Sequence, residues 1–436
     1  MSRVRRAFEA AIVVSVLAFS VLAKAAIAQP VMPLWEKGGL HAAYVVPRDD
    51  FNRVDVQLIV LSGANDDPQL SGIAHLTEHL AAFSSDNAVL RRARERDLNA
   101  VTHNVSTVYT NSGPPQDIEL LLQLSRAVLD PPKLRPGFAE SEIKILHRET
   151  FLRERQSPYR WLRRKALQNL YGTLHGRANN TVEDLDRLNL DVARQFHATH
   201  YVPSNVTLII SGDIKPAKAA QLVAQYFGDT ERSDPPEKPW LDQKPDPSLR
   251  HVEEVSSDRL SDDVVLMAKF IDFEDRDTSI DMQGAFFLAT SILQSRLTRA
   301  LRYESTTLFD VQSDWYLSKV ADLEVTITAH PMPGVDHDSA RAQLERTWAT
   351  LLDAPIQAKE IAEARLEEVV KAENAARRPR LFLHFLQNVA ADGFPPISPS
   401  TFTRMIADTS DEEVVAFATK VIGPSATSVL LARKVQ

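Results

Sequence analysis

The sequence predicts an α+β fold built from two similar domains, each a mainly antiparallel sheet with helices packed on one face, which together form a clamshell. The chain has 436 residues, more than a single hydrophobic core usually organises. A polar, proline-rich stretch at residues 229–248 has no sustained hydrophobic period and is typical of a linker. The same order of elements recurs on both sides of it, with long helices set apart from short strands.

Residues 1–28 have the three parts of a secretory signal peptide. The segment opens with arginines, continues with an apolar run at residues 10–23 that is too short for a membrane span, and ends in an Ala-x-Ala cleavage site. The general secretory route is the simpler interpretation, because Arg5-Arg6-Ala7-Phe8 resembles a twin-arginine signal only weakly. A membrane-anchored N-terminus is an alternative. We expect a periplasmic or secreted protein with no stable membrane anchor after signal cleavage.

The composition narrows the chemistry that is available to the chain. Its net charge is −8, and removal of the basic signal makes the mature protein more acidic, which argues against nucleic acid as a partner. The chain has no cysteine, so disulfides and thiolate ligands are excluded. Any metal ligand from a side chain is therefore expected to be a histidine or a carboxylate.

Local patterns predict the elements of the first half in order. Residues 54–61 alternate as a half-buried strand, and Ser71–Gly72 can start a helix. Residues 99–110 are rich in strand-forming residues, and residues 116–129 have a helical period. Further helices follow, and a strand that begins after Ser204 completes the half. The second half repeats this order.

The most informative stretch is His75-Leu-Thr-Glu78-His79, an H-x-x-E-H pattern typical of inverted zinc hydrolases. On a helix, His75 and His79 are four residues apart, so both imidazoles project from one face and can share a zinc ion. Glu78 lies on the same side and can act as a base on a water molecule without being a ligand. The alternative is two helix histidines beside an exposed glutamate, with no metal.

A second helical pattern carries Glu142 and Glu149, which are seven residues apart and therefore share one helix face. A zinc hydrolase needs a third protein ligand, which without cysteine must be histidine, aspartate or glutamate. The second half repeats the pair as Glu360 and Glu367, but the stretch aligned with the histidine motif, Leu293–Leu297, has no histidine. The second half therefore cannot hold the same metal. From the residues alone, a solvated charged face remains an alternative for the first pair.

These motifs resemble those of the pitrilysin/insulinase zinc metallopeptidases, particularly the bacterial branch that is similar to mitochondrial processing peptidases. The resemblance covers essentially the whole mature sequence. It rests on these segments: Gly72-x-Ala74 through His79, Asn99-Ala100-x-Thr102 followed by Tyr109, Glu142-x6-Glu149, and Tyr201-x-Pro203-x-Asn205 leading to Gly212-Asp213. It implies one Zn²⁺ per chain, held by His75, His79 and Glu149. It also implies that Glu78 is the general base and that Glu142 is an outer carboxylate that orients the site.

The resemblance also implies how substrate is held. In this family a peptide adds as a strand to a sheet edge near the zinc, and Asn99, Ala100 and Thr102 belong to that edge segment. From the residues alone, an ordinary strand fits equally well. Active members also donate an Arg and a Tyr, seven residues apart, from the second domain to the substrate carbonyl. Here Arg302 matches, but Phe309 replaces the Tyr, so either the enzyme is weakened or another subunit supplies the pair.

The predicted organisation is an N-terminal zinc-binding peptidase domain at residues 29–228 and a homologous domain without a metal motif at residues 249–436. The expected activity is that of an exported zinc-dependent endopeptidase acting on peptides or small unfolded proteins. The partners expected are a peptide substrate and, optionally, a second copy in a homodimer or a related subunit in a heterodimer. The alternatives are a catalytically weakened binding or scaffold protein, and one subunit of a heteromeric peptidase whose partner supplies the Arg and Tyr. A non-peptidase zinc hydrolase would fit the motif alone.

Overall fold

The computed structural model describes residues 31–34, 39–67, 70–83, 99–172, 185–230, 233–242, 244–273, 280–317, 322–391 and 395–435. The predicted signal peptide lies outside this part of the chain. Within the described part, eleven strands form two sheets and twelve α-helices pack against them. This arrangement confirms the predicted α+β class.

The first sheet has six strands in the spatial order β1-β2-β6-β3-β5-β4. Their bounds are β1 Met32–Pro33, β2 Ala42–Pro47, β3 Val54–Val60, β4 Asn99–Thr102, β5 Thr107–Gly113 and β6 Val206–Gly212. Strand β2 runs parallel to β6, and all other neighbours are antiparallel. The stretch predicted as strand-rich at residues 99–110 thus forms the edge strand β4 and the start of its neighbour β5.

The second sheet has five strands in the order β7-β11-β8-β10-β9. Their bounds are β7 Arg250–Ser257, β8 Val264–Asp272, β9 Leu308–Leu317, β10 Asp322–Pro331 and β11 Ala426–Lys434. Strand β7 runs parallel to β11, and the other neighbours are antiparallel. When β1 is set aside, both sheets have the same topology, in agreement with the repeated order of elements predicted from the sequence. The edge strands β4 and β9 occupy equivalent positions.

Each half has six described helices, and all but one of them cover one face of that half's own sheet. In the first half these bounds are α1 Ile73–Phe83, α2 Ile118–Ala127, α3 Phe138–Gln156, α4 Pro158–Tyr171, α5 Leu190–His200 and α6 Pro216–Phe227. In the second half they are α7 Ile280–Thr298, α8 His337–Thr350, α9 Ala358–Ala376, α10 Pro379–Ala391, α11 Pro399–Asp408 and α12 Asp411–Ile422. Leu58 of β3 packs in one core with Leu76 of α1, and Met267 of β8 packs in another with Leu293 of α7. None of the helices in the described ranges is long and apolar enough to cross a lipid bilayer.

The opposite face of each sheet is covered by a helix from the other half. Helix α4 of the first half buries Leu162 and Leu170 against Leu266 on the second sheet. The hydroxyl of Tyr171, at the end of α4, donates to Glu324 Oε1 of β10 at 2.7 Å. The burial of these leucines therefore ties the first half to the second sheet.

Helix α10 of the second half makes the reciprocal contact. Its Phe382 and Leu386 are buried against Ile59, Val108 and Ile209 on the first sheet. Helix α4 of the first half packs on the second sheet, and α10 of the second half packs on the first sheet. Each sheet therefore depends on both halves of the chain for the burial of its two faces.

The packing of α10 on the first sheet explains one departure from the sequence prediction. Residues 54–61 were expected to alternate as a half-buried strand, but every residue of β3 is buried. Alternate apolar residues face the helices of the first half, while Ile59 faces α10. Gln57 lies on the α10 side too, where its Nε2 donates to Gln387 Oε1 at 3.3 Å. A polar residue in an alternating strand pattern therefore marks here a buried contact with a distant helix.

Candidate metal centre

Helix α1, which carries the H-x-x-E-H motif, begins at a buried carboxylate. Asp67 accepts hydrogen bonds from the backbone N–H groups of Gly72 at 2.6 Å and Ala74 at 2.8 Å. These two groups would otherwise lack partners at the helix start. Gly72 has a φ of 97°, a conformation that favours glycine. Burial raises the pKa of Asp67 to about 8. The helix is thus held firmly at the end from which the motif starts.

The motif histidines and Glu149 form a compact cluster. The rings of His75 and His79 meet edge to face, with centroids 4.9 Å apart. Glu149 on α3 approaches both: its Oε2 is 3.6 Å from His75 Nε2, and its Oε1 is 3.9 Å from His79 Nε2. One ligand atom from each residue lies within 4.8 Å of the others. In the described part of the chain, this is the one such group of three histidine or carboxylate residues that could hold a metal ion.

Glu142 lies one step further from the cluster. Its Oε2 accepts a hydrogen bond from His79 Nδ1 at 2.9 Å, and both side chains are buried. A proton held on Nδ1 leaves the lone pair on Nε2, the nitrogen that faces Glu149. The burial of Glu142 does not fit the alternative of a solvated charged face for this pair.

Burial sets the protonation of the two histidines in different ways. It lowers the pKa of His75 to about 3, helped by the nearby His79, so this imidazole is neutral at neutral pH. Burial also lowers the pKa of His79, but the hydrogen bond with Glu142 and the neighbouring carboxylates raise it more, so the net direction is upward. The neutral His75 presents a nitrogen lone pair, which is the form that binds a metal cation. The raised pKa of His79 favours its protonated form, so a cation that binds there displaces the proton from Nε2 while Nδ1 keeps its proton toward Glu142.

Glu78 lies beside the cluster, but its carboxylate is bound by a residue outside the cluster. Its Oε2 accepts a hydrogen bond from Thr102 Oγ1 at 2.7 Å, and the side chain is buried. Burial raises the pKa of Glu78, and the Thr102 hydrogen bond partly opposes this effect. Glu78 is not a member of the three-residue cluster.

The predicted substrate residues lie on the edge strand β4, next to α1. Along this strand Asn99 and Val101 are exposed, while Ala100 and Thr102 are partly buried. Ala100 packs against the core of the first half. In the described part of the sheet, the outer side of β4 has no neighbouring strand.

Arg302 and Phe309 lie in the second half, on and after a π-helical turn at Arg299–Tyr303. The Arg302 guanidinium lies 3.5 Å from Asp310 Oδ1, and the exposed Phe309 ring packs against His330, with centroids 5.4 Å apart. These contacts are all within the second half, whereas His75, Glu78, His79, Glu142 and Glu149 are brought together in the first.

The counterparts of the metal cluster in the second half have other partners. Leu293 and Leu297, aligned with the histidines, are fully buried in the core. Glu360 accepts two hydrogen bonds from Arg296, at 2.8 and 2.7 Å, and Glu367 lies 2.9 Å from Lys371 Nζ. The glutamate pair therefore persists in the second half as ion pairs.

Three contacts of the site were not predicted from the sequence. They are the Asp67 cap, the Thr102–Glu78 hydrogen bond, and a bond of 2.9 Å from Arg153 Nη2 to Glu149 Oε2. The last joins residues four apart on α3, a spacing that the sequence does contain. The other two depend on loop and strand positions that spacing alone does not specify.

Comparison with known sequences finds a peptidase-domain profile and relatives that are named zinc proteases. Residues 187–367 match the sequence profile described as the Peptidase M16 inactive domain. The chain is 27% identical over 191 residues to the probable zinc protease PqqL of Haemophilus influenzae, covering 40% of this chain and 20% of that protein. It is 26% identical over 208 residues to the zinc protease PqqE of Helicobacter pylori, covering 44% and 45%. The match thus spans less than half the length of either relative.

Solved structures share the fold at lower identity. A protease from Helicobacter pylori superposes with a TM-score of 0.76 and 16% identity, covering 92% of this chain and 99% of that chain. The periplasmic protease PqqL of Escherichia coli superposes with a TM-score of 0.71 and 17% identity, covering 94% of this chain and 48% of that chain.

Proposed function

Since the chain belongs to the M16 peptidase family, we propose that it is an exported zinc-dependent endopeptidase that hydrolyses peptides or small unfolded proteins. The observation that carries this proposal is the convergence of His75, His79 and Glu149, with ligand atoms within 4.8 Å of one another. Two imidazoles and one carboxylate are a donor set used by catalytic zinc sites, which keep one further position open.

The residues of the site have distinct proposed roles. A bound Zn²⁺, one per chain, would supply a water of lowered pKa and polarise the scissile carbonyl. Glu78 accepts the proton of the attacking water and passes it to the leaving amine. Glu142 keeps the proton of His79 on Nδ1 and so fixes the orientation of that ring.

Peptide binding is assigned to the edge strand β4. Its outer side offers backbone N–H and C=O groups, and a peptide that adds there as a strand would be held largely without regard to its side chains. Asn99 and Ala100 would form this edge beside α1. The second half would then close over the peptide and exclude water from the site.

Zinc content and peptide cleavage of three variants test the assignment. Glu149→Ala should lose stoichiometric zinc, while Glu140→Ala, an exposed position on the same helix, should keep it. Glu78→Gln should keep zinc and lose roughly 10²–10⁴-fold in turnover, the usual contribution of a general base. Zinc that survives Glu149→Ala, or is lost from Glu78→Gln, would contradict the assignment.

A second candidate function is a zinc-bearing subunit or binding protein that needs a partner for catalysis. Two observations favour it: Phe309 lacks the hydroxyl expected of a carbonyl clamp, and Arg302 is paired with Asp310. Loss of one hydrogen-bond donor to a developing oxyanion lowers the rate about 10²–10³-fold. Phe309→Tyr should raise the turnover of the isolated chain if the clamp operates within it. If instead only a related subunit carrying Arg and Tyr raises turnover, the partner route is supported.

The domain division and the location of the protein are also proposals. We place the linker at residues 229–248, between sheets formed by residues 32–212 and 250–434. Residues 29–228 expressed alone should aggregate, because the α10 face of their sheet would be exposed. Export is supported by the predicted signal at residues 1–28. N-terminal sequencing of the protein recovered from a periplasmic fraction tests it.

A further inference from the structure

Thr102 is the residue of strand β4 that contacts the proposed base. Its hydroxyl donates to Glu78 Oε2 at 2.7 Å, and it is the one side-chain donor to Glu78 in the described part of the chain. Glu78 is 4% exposed, so the carboxylate has little water to replace this donor.

A hydroxyl carries a single proton, and here that proton is directed to Glu78. Thr102 therefore has no proton to donate to a peptide carbonyl at the edge of the sheet. The strand register agrees, because Ala100 and Thr102 are the partly buried residues of β4, whereas Asn99 and Val101 are exposed. Thr102 thus faces α1, away from the exposed side of the strand.

The hydrogen bond from Thr102 holds Oε2 of Glu78 and does not involve Oε1. A glutamate side chain has three rotatable bonds and loses considerable freedom when it is fixed. A base that accepts a proton from a water molecule must keep one oxygen within hydrogen-bond distance of it. Fixing Oε2 through Thr102 restricts where Oε1 can lie, and so orients the base before substrate arrives.

We propose that Thr102 is a positioning residue for Glu78 and not a substrate contact, so that one short strand binds the peptide through its backbone and orients the base through its side chain. This inference rests on the proposed function. Strand β4 is anchored on its inner side by β5, where Thr102 lies opposite Thr107. A peptide added to the outer side would fix β4 further and with it the Thr102 hydroxyl.

The test compares Thr102→Val, which keeps the shape but removes the hydroxyl, with Thr102→Ser, which keeps the hydroxyl. Four quantities are measured in the full-length protein: zinc content, affinity of the metal-free protein for a fluorescent peptide, kcat and KM. Thr102→Val should keep zinc and peptide affinity and lower kcat about ten- to hundredfold, the contribution of a hydrogen bond to a charged group. KM should change less than threefold, and Thr102→Ser should recover most of kcat.

Two outcomes of these binding and kinetic measurements would overturn the inference. Weaker binding of peptide by metal-free Thr102→Val, with kcat unchanged, would make Thr102 a substrate contact. A Thr102→Ser variant as impaired as Thr102→Val would show that packing and not the hydroxyl matters. If the zinc-loaded wild-type protein cleaves no peptide, the proposed function fails, and crystal structures of wild type and Thr102→Val then decide the inference. A displaced Glu78 carboxylate in the variant supports it, and an unchanged one refutes it.

Discussion

The hydrogen bond between Glu142 and His79 gives the most direct prediction about metal binding. It measures 2.9 Å between two buried groups, so water cannot readily substitute for either partner. Glu142→Gln keeps an oxygen that accepts from Nδ1 but removes the charge. Glu142→Ala removes the acceptor and leaves a buried N–H group without a protein partner. The two substitutions separate the charge of Glu142 from its role as an acceptor.

The expected magnitudes follow from typical hydrogen-bond energies. A bond to a charged group contributes about 1.5–3 kcal/mol and a neutral one about 0.5–1.5 kcal/mol. Glu142→Gln should therefore weaken zinc binding by about 1 kcal/mol, roughly fivefold in Kd. Glu142→Ala should cost about 2–3 kcal/mol, roughly 30- to 150-fold, which agrees with the usual effect of removing a residue that supports a metal ligand.

Competition with a chromophoric chelator at pH 7.5 measures these affinities directly. Glu140→Ala is the matched control, because Glu140 is exposed on the same helix two residues earlier and should leave the zinc Kd unchanged. Circular dichroism checks that each variant is folded. Wild-type zinc affinity in Glu142→Ala would refute the role of the Glu142 carboxylate, and equal losses in the Gln and Ala variants would refute the separation of charge from hydrogen bonding.

Three further predictions concern stability. Phe382→Ala should lower the free energy of unfolding by about 3–5 kcal/mol, because it removes a buried ring between α10 and the first sheet. Leu381 is exposed beside it, so Leu381→Ala should cost far less. Equal urea midpoints for the two variants would contradict the packing of α10 on the first sheet. Burial lowers the pKa of Lys269 from 10.5 to about 8. Between pH 8 and 10.5 the folded protein therefore binds fewer protons than the unfolded chain. Its free energy of unfolding, relative to that of Lys269→Met, should rise by about 2–3 kcal/mol over this pH range. Urea titrations in which the two proteins differ by the same amount at every pH would refute this. Trp240→Phe removes an indole N–H that donates to Asp66 Oδ1 at 3.0 Å, so we expect a loss of about 1.5–3 kcal/mol and a lower Tm in a thermal melt; an unchanged Tm would show that this contact does not stabilise the fold.

The proposed metal ligands could be predicted in part because helical spacing is a local property. Two histidines four residues apart share a helix face whatever the rest of the chain does, and the same holds for Glu142 and Glu149. The approach of α3 to α1 is different, because no periodic pattern encodes the distance between two helices. The pairing of Glu149 with the histidines came from the resemblance to a family, and the atom distances came from the structure.

The different roles of Glu142 and Glu149 were implied by the family resemblance, but their spacing alone does not distinguish the two residues. Both are glutamates on one helix face, yet Glu142 is buried against His79 Nδ1 while Glu149 faces the Nε2 atoms and Arg153. Their spacing predicts that the two side chains share a helix face, but it does not predict which part of α1 each side chain contacts. That contact depends on how the two helices pack.

The sequence by itself determined the elements, the repeated order of the two halves and the loss of the histidine motif from the second. These features follow from hydrophobic period and residue identity, which act over a few neighbouring residues. The tertiary structure alone decided that β3 is buried on both faces, that α4 and α10 exchange sheets, and that Thr102 bonds to Glu78. Each of these joins positions far apart in the chain, and the free energy of such a contact depends on the packing of both partners, which no local pattern contains.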